Sequence, residues 1–283
     1  FNINNIITPL IKDKNQSINH VFINNPDLLY FSKPTFYSYV NLNLFSFRNI
    51  DLARKVKYKP RKNTEKRRTR KEAIIRIGRT YNNLNDYLAV NPNASVVEMD
   101  TVEGVKGGKV FLTLLFRNYN FMLIFLMETK TMDEVEKIFI KIKKLLGLDT
   151  FKRLFEVILT DNGSEFFNPI SIEVDYSTGE VLSHIFYCDP NCPYQKGSIE
   201  KNHEYIRYIL PKKTSFNDLT QEDCDLIASH INSTNRIILN NKTPYEAVQN
   251  LMDIEIISKL NIRLIDHDKV DLSPELLKKI SGS

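Results

Sequence analysis

The chain has 283 residues, of which 42% are hydrophobic and 26% charged, so wholesale disorder is excluded. Its most apolar stretch, 110–127, is interrupted by Arg117, Asn118 and Asn120, which excludes it as a membrane-spanning helix. The net charge is +5, and three cysteines exclude a disulfide framework and favour a reducing compartment. Because the chain begins at Phe1 rather than Met, we expect a fragment or a processed form.

The first fifty residues are predicted to form short helices. Ser17 precedes one apolar run, Asn25-Pro26 breaks it, and Ser32 is a good N-cap for a following helix. Short helices with tight breaks are typical of a helix-turn-helix, in which Lys33 would contact DNA. An ordinary helical subdomain remains the alternative for residues 1–50.

A basic linker is predicted over residues 51–89. Between Arg54 and Arg79, 13 Lys and Arg oppose only Glu65 and Glu72, a local net charge of +11. Such a run beside a slightly acidic body predicts a polyanionic partner, most simply nucleic acid, although a solvated charge run is the alternative. The candidate DNA contacts within it are Arg61, Lys62, Arg67, Arg68 and Arg70.

After a short predicted helix at 81–88, strands and helices alternate in a pattern that predicts an α/β domain with a mixed sheet. The predicted strands are 95–100, 109–115, 121–127, 155–159 and 181–187. The predicted helices run from Thr131 to Leu146, where Gly147 ends the helix, and over 198–210, 220–235 and 244–252. We assign 90–250 to this domain and 251–283 to a C-terminal helical tail.

Three acidic residues occupy positions from which they can converge. Asp100 closes the first predicted strand, Asp161 follows the fourth, and Glu200 lies near the start of a predicted helix. Carboxylate oxygens suit Mg²⁺ or Mn²⁺, and two such ions about 4 Å apart promote in-line attack on a phosphodiester. Taken singly, Asp161 is typical of an Asp-Asn-Gly turn, Asp100 of a loop cap, and Glu200 of a helix N-terminus.

Taken together, the motifs around these acids resemble DDE transposases and retroviral-type integrases, and more closely the IS-thirty family of insertion-sequence transposases. The matching segments are 96–104 (VVEMDTVEG), 159–166 (LTDNGSEF), 187–190 (YCDP), 195–200 (QKGSIE), 206–207 (IR), 210–214 (LPKKT) and 241–246 (NKTPYE). The resemblance covers roughly residues 90–250 and implies an RNase H-like mixed sheet flanked by helices.

The resemblance implies that Asp100, Asp161 and Glu200 are catalytic and bind two Mg²⁺ ions, with Mn²⁺ as a substitute. It implies a cytoplasmic, nucleoid-associated enzyme that binds terminal inverted repeats, cleaves a strand and transfers its 3′-OH to target DNA. Because transposition joins two DNA ends, we expect a homodimer or higher oligomer on double-stranded DNA. A catalytically silent DNA-binding regulator and a metal-dependent nuclease of the same fold are the alternatives.

Two departures from the family pattern affect the third acid. Segment 168–183 lengthens the spacing between Asp161 and Glu200, and we expect a strand or hairpin insertion there. The residues after Glu200, 201–204 (KNHE), stand where many relatives have smaller polar residues and glycine. Among them, Glu204 lies one helical turn beyond Glu200 and could compete with it as the third ligand, although the residues flanking Glu200 fit the family better.

Basic residues near Glu200 are further candidates for contact with DNA phosphates, with a solvated helix face as the alternative. They are Lys196, Lys201 and Arg207. A zinc site is not favoured, because the spacing of Cys188 and Cys192 departs from that of zinc fingers and no second cysteine pair exists.

Overall fold

The computed structural model describes residues 3–53, 74–190 and 192–278. The predicted DNA contacts Arg61, Lys62, Arg67, Arg68 and Arg70 lie outside the described residues and stay predictions.

The N-terminal helices surround a small apolar core of their own. They are α1 (Ile3–Thr8), followed by a π-helical turn (Pro9–Asp13), α2 (Ile18–Asn24) and α3 (Lys33–Asn41). The predicted caps are confirmed, because the Ser17 and Ser32 side chains accept hydrogen bonds from the backbone N–H of His20 and Thr35. Their apolar residues, among them Phe36, pack together apart from the main core.

The central domain is built on a five-stranded mixed sheet. Its strands are β1 (Val96–Glu103), β2 (Val110–Phe116), β3 (Phe121–Met127), β4 (Val157–Thr160) and β5 (His184–Tyr187). Their order is β3-β2-β1-β4-β5, with β1, β2 and β3 antiparallel and with β4 parallel to both β1 and β5. This sheet and its flanking helices confirm the predicted RNase H-like α/β fold.

Helices cover both faces of the sheet. The helices after the N-terminal group are α4 (Tyr81–Val90), α5 (Met132–Leu146), α6 (Leu148–Leu154), α7 (Pro169–Glu173), α8 (Gly197–Ile209), α9 (Gln221–Asn232), α10 (Pro244–Val248), α11 (Ile254–Lys259) and α12 (Glu275–Lys278). Val157 and Leu159 of β4 pack with α4, whereas Ile158 between them joins the main core with α5. Helix α4 therefore packs on the sheet although it lies within the predicted linker.

Several predicted boundaries are wrong. Strand β1 continues to Glu103 because its pairing with β2 extends to the Glu103–Val110 pair, so Asp100 lies inside the strand. Strand β4 begins at Val157 because the preceding residues form α6, which was not predicted. Helix α9 ends at Asn232, and α10 ends at Val248.

The insertion at 168–183 contains more helix than predicted. Pro169 begins α7, since proline fits the first turn of a helix. A turn then follows, in which the Asp175 carboxylate accepts hydrogen bonds from Ser177 and Thr178, and an isolated bridge pairs Val174 with Val181. The expected hairpin is thus reduced to one bridge, and β5 begins only at His184.

The C-terminal part of the chain holds the N-terminal helices mainly through hydrogen bonds between neutral groups, beside one from Lys14 Nζ to the Asp268 carbonyl oxygen at 2.6 Å. Buried Gln16 donates to the carbonyl oxygens of Val270 at 2.8 Å and His267 at 3.1 Å. Asn24 donates to the Asn235 side chain at 2.9 Å. Among the described residues, no helix combines the length and the apolar character needed to cross a membrane.

Candidate active site

The structure brings Asp100 and Asp161 together at the point where the parallel pairing of β1 with β4 ends. Pairing between β1 and β4 ends at Met99 and Thr160, so each aspartate comes directly after the last paired residue. One oxygen of each is fixed by a backbone N–H: Asp100 Oδ1 by Thr101 at 2.8 Å, and Asp161 Oδ1 by Gly163 at 2.9 Å. The other oxygen, Oδ2, is left for a common partner.

That partner is Lys196, which ends the 3₁₀ turn Pro193–Lys196 before α8. Its Nζ lies 3.0 Å from Asp100 Oδ2 and 3.4 Å from Asp161 Oδ2, and its side chain is only 6% exposed. Burial would lower the pKa of this ammonium, but the charges of Asp100 and Asp161 outweigh burial and raise the pKa above its usual value. The two carboxylates therefore share a buried cation.

The third predicted acid is not brought into the same group. Glu200 lies in the first turn of α8 and is exposed, while Glu204 pairs with Lys201 at 2.5 Å. Within the part of the chain that the structure describes, no three Asp, Glu, His or Cys side chains form a metal-binding cluster. Asp100 and Asp161 fit a divalent cation by donor type and because their Oδ2 atoms already converge on a positive charge. The role of Glu200 stays a prediction.

Helix α8 also supplies an uncharged imidazole next to Asp100. Thr113 Oγ1 donates its proton to the Asp100 carbonyl oxygen at 3.0 Å, so His203 Nε2, at 2.9 Å, donates to the same hydroxyl. His203 Nδ1 then faces Asp100 Oδ2 at 3.9 Å. Burial, with the charges of Lys196 and Arg207, lowers the pKa of His203 to about 3, so this ring is neutral at pH 7.

A buried ion pair fastens the start of α8 to β1. Glu98 is 1% exposed, and its Oε1 accepts from Arg117 Nε at 2.7 Å. Its Oε2 accepts from the backbone N–H of Ile199 at 2.7 Å, and Arg117 also donates to the Gln195 carbonyl oxygen at 3.1 Å. Glu98 therefore fixes the segment that carries Lys196 against the strand that carries Asp100.

The loop that contains Asp161 is held by a second polar chain. Arg76, 5% exposed, donates to Asn162 Oδ1 at 2.7 Å and to Asp189 Oδ1 at 3.2 Å. Gln195 donates to the other oxygen of Asp189 at 3.0 Å. A side chain at Gly163 would place its Cβ 2.6 Å from the carboxylate of Glu165, which would have to move.

The remaining predicted DNA contacts occupy different surroundings. Lys33 donates to Asn19 at 2.5 Å. Lys201 is exposed on α8, and Arg207 donates to the Glu103 carbonyl oxygen at 2.8 Å. Burial lowers the pKa of Arg207. Their contact with DNA, like that of the buried Lys196, stays a prediction.

A cleft of about 660 Å³ runs between α8 and the N-terminal helices. Its walls include Asn19 and Tyr37 on the N-terminal side, Lys201 and Tyr205 on α8, and Arg236. None of the described residues that line it is acidic. The Arg236 guanidinium lies 3.8 Å from the Tyr205 ring centroid, a cation–π contact. Amide, aromatic and cationic groups without carboxylates suit a polyanion that has stackable rings.

Sequence reasoning missed Glu98, Arg117 and the pairing of Lys196. A signal for Glu98 is present, because a lone carboxylate interrupts the apolar segment 96–99 two residues before Asp100, on the same face of the strand. The position of Lys196 has no such signal, since its burial depends on how the 3₁₀ turn packs on the sheet.

Comparison with known proteins supports the motif-based resemblance. No protein-family model matches the chain. The chain is 31% identical over 152 residues, 54% of its length, to the transposase InsI for insertion sequence element IS30C of Escherichia coli K12. It is 25% identical over 157 residues, 56% of its length, to the transposase for insertion sequence element IS4351 of Bacteroides fragilis. The predicted resemblance to insertion-sequence transposases is thereby confirmed.

The matched regions span 37% and 45% of those two relatives, less than half of each. Among solved structures, a chain from the simian T-cell lymphotropic virus intasome in complex with PP2A regulatory subunit B56 gamma matches with a TM-score of 0.41. That match has 16% sequence identity and covers 54% of this chain and 53% of the other.

Proposed function

We propose that this chain is the catalytic part of a DNA transposase that cleaves a strand at the end of an insertion sequence and joins it to target DNA. The observation that carries the proposal is the meeting of Asp100 and Asp161 just beyond the paired part of β1 and β4, with both Oδ2 atoms directed at one positive charge. The similarity of the same region to transposases supports this choice of reaction.

In this proposal Asp100 and Asp161, with Glu200 from α8, hold Mg²⁺ or Mn²⁺. The bound ions would activate the attacking oxygen and stabilise the leaving oxygen of an in-line displacement. In cleavage, an oxygen of water forms the new bond to phosphorus and the 3′ oxygen leaves. In strand transfer, that 3′ oxygen would form a bond to a target phosphorus while the bond from this phosphorus to the 3′ oxygen of the target strand breaks and that oxygen leaves. Thr101 and Gly163 hold the carboxylates in place through both steps.

Double-stranded DNA, as terminal inverted repeats and as target, is the proposed substrate. The cleft beside α8 supports this, because its lining combines Lys201 and Arg236 with tyrosine and asparagine side chains. We assign end recognition to the N-terminal helices and the basic linker. Because two ends must be joined, the active assembly is a homodimer or larger.

The test incubates the protein with labelled duplexes of its element's ends, with Mg²⁺, with Mn²⁺ or with EDTA. We expect metal-dependent nicking and joined products from the wild type, and neither from Asp161→Asn, while binding to the ends remains. Asp218→Asn, which changes an exposed acid, is the matched control and should cut normally.

The rival functions give different products in the same assay. Cutting without joining by the wild type would indicate a nuclease of this fold. Binding without cutting would indicate a DNA-binding regulator. Cleavage by Asp161→Asn at the wild-type rate would contradict the assigned site.

A further inference from the structure

Lys196 occupies the place where the two catalytic carboxylates converge. Its Nζ is within 3.4 Å of both Oδ2 atoms and of the Met99 carbonyl oxygen. Because its side chain is only 6% exposed, the ammonium has little contact with water. Attraction between such charges is screened much less than on the surface.

A divalent cation cannot simply be added to this arrangement. Metal–oxygen bonds to Mg²⁺ are about 2.1 Å long, so an ion on the same Oδ2 atoms would lie within about 5 Å of the ammonium. At that separation the divalent cation and the buried ammonium repel each other. The lysine and the metal ion therefore compete for the two carboxylates.

We propose that Lys196 is an internal counterion that competes with the divalent cation for Asp100 and Asp161, and that metal binding frees its ammonium to hold a DNA phosphate. The inference rests on the proposed function and adds a regulatory link to it: the site accepts metal most readily when DNA is present.

The surroundings give the displaced ammonium few alternatives. Glu98, two residues before Asp100 on β1, already accepts from Arg117 and from the Ile199 N–H and offers no equivalent place. Glu165 in the neighbouring loop pairs with Lys130 at 3.3 Å and accepts from Thr101, both through Oε1, and only its buried Oε2 has no hydrogen-bond partner within the described part of the chain. A phosphate of bound DNA supplies the missing negative charge at this mouth of the site.

By linkage, the two ligands then strengthen each other's binding by the same factor. The metal ion displaces the Lys196 ammonium from the aspartates, and the DNA phosphate stabilises the ammonium in its displaced position. In DNA-free protein the competition weakens metal binding, which keeps the cleavage chemistry dependent on substrate.

The experiment measures Mn²⁺ affinity by isothermal titration calorimetry in DNA-free protein. We expect Lys196→Gln to bind Mn²⁺ about tenfold more tightly than the wild type, or better, because the competing charge is gone. Lys196→Arg, which retains the charge, should bind as weakly as the wild type. Lys106→Gln removes one charge from the exposed β1–β2 turn and should leave the affinity unchanged.

A second arm repeats the titrations with a saturating 30-base-pair duplex, after subtraction of Mn²⁺ binding to the duplex alone. We expect DNA to raise the Mn²⁺ affinity of the wild type by a larger factor than that of Lys196→Gln. A thermal melt checks that each variant folds, and Mn²⁺ should raise the melting temperature of Lys196→Gln more than that of the wild type.

Two failures can be told apart. Equal Mn²⁺ affinities of wild type and Lys196→Gln, or weaker binding by the variant, would overturn the counterion and leave the proposed metal site intact. Absence of Mn²⁺ binding to both proteins would overturn the metal site and this inference with it.

Discussion

Two buried polar regions of this protein are built on different principles. Around the start of α8, the buried partners are charged, as in the contacts of Glu98 with Arg117 and of Lys196 with Asp100. Where the N-terminal helices meet the C-terminal part of the chain, the buried groups that make the contacts are mainly neutral, as with Gln16 and His20, although Lys14 Nζ also donates to the Asp268 carbonyl oxygen. A buried charge that loses its partner costs far more than a lost neutral hydrogen bond. Removing one partner from the charged region is therefore expected to cost more stability than removing one where the N-terminal helices meet the C-terminal part of the chain.

The largest effect should come from the charged region. Glu98→Gln leaves the Arg117 guanidinium without its counter-charge, so we expect a loss of about 3 kcal/mol in the free energy of unfolding, measured by urea denaturation. Glu255→Gln disrupts the exposed i,i+4 pair with Lys259 and should cost at most about 0.5 kcal/mol. Equal losses in the two variants would show that burial adds nothing to the Glu98 pair.

The elements with strong local signals were predicted well from the sequence. Helix α5 runs from its Thr131 cap to the Gly147 stop as expected, because its cap and its apolar spacing are both encoded locally. Helix α6 was missed because it starts directly after that stop, and it is defined by the burial of Phe151 and Leu154 against the main core. Tertiary packing, which a local pattern does not contain, decides such short elements.

The same division applies to the site. The meeting of Asp100 and Asp161 could be predicted because parallel strands bring their carboxyl ends to one edge of a sheet. Lys196 was predicted to contact a DNA phosphate, with a solvated helix face as the alternative, and only the fold reveals that it is buried between these two acids. Whether Glu200 joins them depends on how α8 sits over the sheet, which spacing along the chain does not determine.

The neutral region should respond more mildly and more locally. Gln16→Ala leaves the carbonyl oxygens of Val270 and His267 without their donor, so we expect a loss of about 2 kcal/mol in the free energy of unfolding. Hydrogen exchange should report it as faster exchange in α1–α3 with little change in β1 and β2. Asn82→Ala, an exposed change on α4, is the control and should alter neither. Equal acceleration in the sheet would mean that the two regions unfold as one unit.

The smallest expected effect concerns pH, since each region buries one imidazole with a lowered pKa. Burial lowers the pKa of His20 below its usual value near 6.5, despite hydrogen bonds with His267 and Asn235, and the charges of His267 and Arg236 act in the same direction as burial. The unfolded chain therefore takes up a proton at His20 before the folded chain does. Stability is unaffected above pH 6.5 and falls as the pH drops below it.

The slope that one such imidazole contributes is at most about 1.4 kcal/mol per pH unit. His203 in the charged region acts in the same direction, because its pKa is about 3. We expect urea denaturation to show that the free energy of unfolding falls less between pH 7 and pH 5 for His20→Gln than for the wild type. The part of the fall that is due to His203 should remain. His20 lies where the N-terminal helices contact the C-terminal part of the chain, and the Asn235 N–H donates to its Nδ1 at 3.2 Å. An identical pH dependence in both proteins would contradict a lowered pKa of His20 in the folded protein.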